Sequence, residues 1–203
     1  MLEGLRYAAT DPVARVMMLL GMVPALLLIP SLSALMPVFA VQVFHTGPEG
    51  LGLLLSFVGI GGVLGGMVSV RTARVDRIGL TQLCAVLTFA AALIGFALST
   101  QIWIAGFFLV IAGMAEMVNM SSNHTALQMS VPQAMRGRVA SLLPVFPAVM
   151  ALSALSTGAC ADGLGAPRAV ILLAVLAAVI AGVAWLRSTV LRELRLSKLV
   201  EKQ

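Results

Sequence analysis

The sequence predicts an all-α membrane protein, a bundle of six transmembrane helices. Of its 203 residues, 60% are hydrophobic and only 10% are charged, which is outside the range of ordinary soluble domains. Each of six apolar runs is near or above the roughly 20 residues that cross a hydrocarbon core as a helix, and none shows the alternation of a barrel strand. The runs are residues 16–44, 51–70, 80–100, 102–129, 139–161 and 169–186.

The first run contains three prolines, Pro24, Pro30 and Pro37. Each removes a backbone hydrogen bond, so we expect this helix to bend as it crosses the membrane. Such bends are frequent in helices that gate or line a cavity. They also occur in helices whose role is only to pack against their neighbours.

The second run is rich in glycine and includes two overlapping pairs, Gly61 with Gly65 and Gly62 with Gly66. Small residues at this spacing let another helix backbone approach closely, either inside this bundle or in a second one. We assign Gly59, Gly62 and Gly66 to packing against a second bundle. The fifth run has a comparable small and polar face, formed by Ala151, Ser153, Ala154, Ser156, Thr157 and Gly158.

The fourth run contains Glu116 near its middle, with Asn119 and Asn123 on the same helical stripe. A charged carboxylate at this depth costs several kcal/mol unless it is hydrated, paired or protonated. Glu116, Asn119 and Asn123 are therefore candidates for a substrate or proton pathway. The alternative is a neutral, hydrogen-bonded Glu116 that only fixes helix packing.

Basic residues are distributed unevenly among the loops. Of the 13 Lys and Arg residues, all except Arg168 lie before the first run, after the second or fourth run, or in the tail. By the positive-inside rule both termini are cytoplasmic. The net charge of +5 then reflects cytoplasmic loops, not nucleic-acid binding. We predict three segments: a cytoplasmic linker (1–15), a transmembrane domain (16–186) and a basic cytoplasmic tail (187–203).

Enzyme and metal chemistry find little support in the sequence. No second His, Cys or carboxylate lies at metal-ligand spacing beside His124, and His45 falls in an outer loop. We expect no metal and no cofactor, and an intramembrane enzyme is the weakest of the functional hypotheses.

Segment 123–141, which reads NHTALQMSVPQAMRGRVAS, resembles a segment of bacterial major facilitator superfamily exporters. The similar branch is the transmembrane secretion effectors, which include the enterobactin exporter, and the resemblance extends from residues 3–7 to 164–167. It implies the carboxy-terminal half of a twelve-helix transporter, so these helices would be helices seven to twelve.

The loop 71–79, which reads RTARVDRIG, resembles the cytoplasmic loop motif of the superfamily, which latches helix ends in one conformation. Leu80 and Thr81 replace the basic pair that usually follows the motif. The candidate latch residues are Arg71, Arg74, Asp76, Arg77, Arg136 and Arg138.

The resemblance implies a secondary active exporter of the bacterial cytoplasmic membrane that works by alternating access, usually driven by protons. The expected substrate is a siderophore, drug or other amphipathic small molecule. The expected partners are the bilayer and an amino-terminal transporter half, supplied by a longer gene product or a second chain. Glu116 has no counterpart in the family pattern, so its role rests on its own chemistry. The alternative function is a non-transporting membrane scaffold or a truncated remnant of such a transporter.

Overall fold

The computed structural model describes residues 20–72, 77–130 and 145–188, without the side chains of 126–130 and 145–149. The predicted linker 1–15 and almost all of the basic tail lie outside the described residues. The described part consists of six long helices and contains no strand. They are α1 (Leu20–Val43), α2 (Gly47–Thr72), α3 (Ile78–Leu98), α4 (Ile102–Ser130), α5 (Val145–Leu164) and α6 (Ala166–Arg187).

The predicted all-helical membrane fold is confirmed. Five of the described helices, α1 to α4 and α6, are long and apolar enough to cross a membrane. Helices α2, α3 and α6 start and end within a few residues of their apolar runs. Only helices and closed barrels satisfy every backbone hydrogen bond in lipid, which is why apolar run length predicts this fold well.

The interruptions predicted at the prolines of α1 take the form of two π turns, Pro24–Leu28 and Phe39–Val43. In the second turn the N–H of Phe44 donates to the carbonyl of Phe39 at 2.9 Å. Proline has no N–H to donate and its ring crowds the preceding turn, so wider turns are found beside it. Pro37 lies inside the α-helical segment just before this second π turn.

The connection between α5 and α6 is a single residue, Gly165, with a φ of +82°. Residues with a Cβ rarely adopt this conformation, so glycine is the residue that permits so sharp a reversal. Pro167 lies in the first turn of α6, where its missing N–H costs no hydrogen bond. The tight turn makes α5 and α6 antiparallel neighbours.

The centre of the bundle is α3, which packs on both α4 and α6. Its residues Val86, Phe89 and Leu93 have no exposed surface. At one end of α3, the ring of Phe96 lies 4.5 Å from that of Phe39 in α1, measured between centroids. This contact joins α1 to the central helix.

The most extensive pairing is between α2 and α4, and glycines bring their backbones together. A Cβ at Gly65 would lie 2.6 Å from the carbonyl oxygen of Met114. A Cβ at Gly61 or at Gly113 would also come closer than 3.0 Å to a backbone carbonyl of the facing helix. Real Cβ atoms do not approach so closely, so all three positions require glycine for this packing.

Candidate functional site

The glycines of α2 lie in two stripes. Gly61 and Gly65 face α4, whereas a Cβ at Gly59, Gly62 or Gly66 would meet no atom of another described element within 4 Å. We call these last three residues the open glycine face. Exposed apolar side chains are expected on any helix that faces lipid. A stripe without side chains is different, because it is what a second helix backbone packs against.

The small and polar face predicted on α5 also divides. Ser153 and Thr157 are buried toward the rest of the bundle. Leu152 and Leu155 are 73% and 72% exposed, and a Cβ at Gly158 would meet nothing within 4 Å. α5 therefore presents a second surface that the described helices leave uncovered.

The polar stripe of α4 reaches α1 at one of its three residues, Asn123. Asn119 is buried, and Glu116 and Asn123 are partly buried. The side-chain amide of Asn123 lies against Gly21 of α1, so closely that a Cβ at Gly21 would overlap it. Elsewhere α1 and α4 make few contacts. Asn123 is the member of the stripe that joins the two helices.

Several buried amide atoms have no hydrogen-bond partner among the described residues. They are the Nδ2 of Asn119, the Oδ1 of Asn123, and both Nε2 and Oε1 of Gln82 in α3. Gln82 has no exposed surface. An unpaired buried amide lowers the stability of the folded state by about 1–3 kcal/mol. Three such residues lie in α3 and α4, so this part of the bundle contains polar groups that do not serve stability.

Two openings lie between α2, α3 and α4. One is a small cavity of about 20 Å³ whose lining residues all carry hydroxyl groups except Ile78; they are Ser69, Thr72, Thr81, Ser121, Ser122 and Thr125. The other is a mostly apolar cleft of about 350 Å³ that shares Thr72 and Thr81 with the cavity and also exposes Cys84.

Sequence reasoning missed both Gln82 and the hydroxyl cavity. For Gln82 a signal existed, since an amide inside an apolar run is as unexpected as a carboxylate. The cavity has no short motif, because its hydroxyls come from three helices.

A family model described as transmembrane secretion effector matches residues 1–201. The chain belongs to this family. A search of the curated proteins found no significant match, and neither did a search of the solved structures. The match to the family model confirms the predicted resemblance to the major facilitator superfamily. Together with the apolar helices, it describes a multi-pass membrane protein with a transporter-like function.

The latch candidates of this transmembrane secretion effector are only partly described. Arg71 and Arg77 are exposed at the facing ends of α2 and α3. The other four, Arg74, Asp76, Arg136 and Arg138, lie outside the described residues, so the latch stays a prediction.

Metal-ligating side chains do not cluster in the part of this transmembrane secretion effector that the structure describes. No group of three His, Cys, Asp or Glu residues there is close enough to hold an ion. The polar chemistry inside the described bundle comes instead from amides, hydroxyls and the carboxyl of Glu116.

Proposed function

We propose that this chain is the carboxy-terminal half of a secondary exporter that moves an amphipathic small molecule across the bacterial cytoplasmic membrane. Membership of the transmembrane secretion effector family supports transport. In such transporters two helical halves rock about a central site and expose it alternately to the two sides of the membrane. Six helices supply one wall of that site.

The observation that carries the half-transporter proposal is the open glycine face of α2. One glycine pair of this helix, Gly61 with Gly65, is already used against α4. The neighbouring stripe also consists of glycines, and a Cβ on any of them would meet no atom of the described residues within 4 Å. Together with the exposed side of α5, it forms the surface on which the amino-terminal half would pack, supplied by a longer product or by a second chain.

The polar stripe of α4 supports a pathway along this wall. A carboxyl group in the middle of a membrane helix is tolerated when it is neutral and becomes costly when charged. Alternate exposure to the two sides would let Glu116 take up a proton on one side and release it on the other. Asn119 and Asn123, each with an unpaired amide atom, would then bind polar groups of the substrate.

The orientation follows from the basic loops, with both termini in the cytoplasm. In this orientation the exposed Arg71 and Arg77 face the cytoplasm, where the loop between α2 and α3 would act as the latch. In export, the substrate would then enter from the cytoplasmic end of the bundle, which contains Thr72 and Ile78.

The interface is tested by substitution and transport together. Gly66→Leu fills the open glycine face, whereas Gly182→Leu adds the same side chain to an open position on α6. Proteoliposomes containing the protein, expressed with its natural flanking coding sequence, are loaded with ethidium, and its movement is followed under an imposed pH gradient. We expect gradient-driven movement that Gly66→Leu abolishes and Gly182→Leu retains.

The alternative, a scaffold or remnant, predicts a different result. The protein would then associate with a partner half through the same face, yet move no ethidium under any gradient. Equal transport by the Gly66→Leu variant and the unsubstituted protein would instead contradict the interface while leaving transport itself standing.

A further inference from the structure

The hydroxyl-lined cavity lies at the end of the bundle where α2 finishes and α3 begins. Ser69 and Thr72 belong to the last turns of α2, and Thr81 to the first turn of α3. Ser121, Ser122 and Thr125 come from the facing part of α4. Six hydroxyl-bearing residues from three helices thus line one small space.

Three of these hydroxyls already donate their only hydrogen to a backbone carbonyl. Ser69 Oγ donates to the carbonyl of Gly65 at 2.8 Å. Thr72 Oγ1 donates to the carbonyl of Ser69 at 3.1 Å, and Thr81 Oγ1 donates to that of Arg77 at 3.2 Å. A hydroxyl has a single hydrogen, so what these three groups can still offer is a lone pair. They can accept a hydrogen bond or bind a cation, but they cannot donate.

The size and lining of the cavity restrict the ligand further. Its volume of about 20 Å³ exceeds the roughly 10–15 Å³ that one water-sized sphere requires, so it fits an ion without its hydration shell. Oxygen ligands suit hard cations. Among the described residues the lining contains no carboxylate, whereas sites for divalent ions ordinarily use them. An anion would find half of the hydroxyls unable to donate.

We propose that this cavity is a binding site for one sodium ion. Sodium is the smaller of the two common monovalent cations, and the lone pairs of neutral hydroxyl oxygens can coordinate it. The adjacent layer of the bundle is polar as well. Gln82 directly follows Thr81 and is fully buried with both amide atoms unpartnered among the described residues. The cavity does not include Glu116. The proposal implies that the stability of the protein depends on sodium, which proton coupling through Glu116 alone would not produce.

The test measures sodium binding by the purified protein in detergent micelles and does not depend on transport. Thermal unfolding is followed as NaCl replaces choline chloride at constant ionic strength, and bound ²²Na⁺ is counted in parallel. A ligand that binds only the folded state raises Tm in proportion to the logarithm of its concentration above Kd. We expect this rise of Tm with sodium, together with ²²Na⁺ binding that saturates, and we expect potassium not to reproduce the rise.

Substitutions then locate the site. Thr81→Val removes one oxygen and keeps the shape of the side chain, and it should weaken sodium binding about tenfold, equivalent to about 1.4 kcal/mol. Thr81→Ser keeps the oxygen and should retain binding. Ser69→Ala should weaken binding, whereas Ser56→Ala should not, although Ser56 Oγ donates to Gly52 at the same 2.8 Å. Cooperative unfolding of each variant in choline chloride shows that it is folded.

Two results would overturn the proposal. The first is a Tm that responds equally to sodium, potassium and choline, which would mean that the cavity holds water only. The second is sodium binding that Thr81→Val and Ser69→Ala leave intact, which would place the ion elsewhere.

Discussion

The side-chain amide of Asn123 in α4 lies directly against the backbone of Gly21 in α1, and no side chain at position 21 would fit beneath it. Apart from this contact, α1 and α4 touch little. The pair is therefore the point at which these two helices are joined. In the proposed transporter this makes Gly21 and Asn123 a contact point at the edge of the pathway.

Gly21→Ala should lower the stability of the protein by about 1–3 kcal/mol, the usual cost of overpacking a close contact. The physical reason is the overlap of the new Cβ with the Asn123 amide. Thermal unfolding in detergent measures the effect. In the double variant with Asn123→Ala the overlap disappears, so the two losses should not add. Additive losses would show that the clash lies elsewhere.

Gly65→Ala and Gly66→Ala should have opposite effects, although the residues are adjacent. At position 65 the methyl group meets the backbone of α4, which cannot move aside as a side chain can, and we expect a loss of about 1–3 kcal/mol. At position 66 it meets open space, and the higher helix propensity of alanine favours the variant by up to about 1 kcal/mol. Thermal unfolding of the chain without a partner half distinguishes the two. A destabilising Gly66→Ala in that setting would contradict the division of the stripes.

Gln82→Met should not lower the stability of the protein and should raise its Tm. Methionine has a similar shape, and it removes two buried polar atoms that lack partners among the described residues. The expected gain is at most the cost of an unsatisfied buried amide, about 1–3 kcal/mol. Gln42→Met, at an exposed position of α1, is the matched control. A clear loss of stability in Gln82→Met alone would reveal that its amide is paired.

Glu116→Gln should abolish the response of transport to a pH gradient while leaving the fold intact. Glutamine keeps the size and hydrogen-bonding capacity of a neutral glutamic acid but cannot release a proton. Ethidium movement in proteoliposomes, with and without the gradient, is the measurement. Glu49→Gln changes an exposed carboxyl in the first turn of α2 and should leave the response unchanged. Proton-driven movement that survives Glu116→Gln would exclude Glu116 as the coupling group.

The proposed orientation predicts which engineered cysteines react from outside the cell. In a background lacking Cys84 and Cys160, Asp162→Cys lies at the exposed end of α5 and should react with a membrane-impermeant maleimide on intact cells. Arg77→Cys, at the start of α3, should react only after the cells are opened. The reverse pattern would contradict cytoplasmic termini.

The helices could be predicted from sequence because lipid forces the backbone into them, and only their ends required the structure. α2 begins at Gly47, before its apolar run, and includes Pro48 and Glu49 in the first turn. α6 begins at Ala166 and includes Arg168. Proline and polar residues are well tolerated at the first turn of a helix, so an apolar run understates the length of the helix there.

The arrangement of side chains between helices was less predictable. Gly61 with Gly65 and Gly62 with Gly66 have identical spacing, so the sequence indicates close packing without indicating which pair faces α4. The stripe of Glu116, Asn119 and Asn123 follows from helical periodicity within one element. Its contact with Gly21 depends on how α1 and α4 are placed relative to one another, which no pattern within either helix encodes.

The two glycine pairs of α2 have a mechanical consequence. A rotation of about 100° combined with a slide of about 1.5 Å along the helix axis exchanges one pair for the other. The glycines alone therefore allow α2 to pack on α4 in two ways, through Gly61 and Gly65 or through Gly62 and Gly66. The ring of Phe57 removes this ambiguity, because it lies over Gly106 and packs edge-on against Trp103, with 6.0 Å between ring centroids. The Phe57 side chain thus selects one of the two packing arrangements of α2 on α4 that the glycines alone would allow.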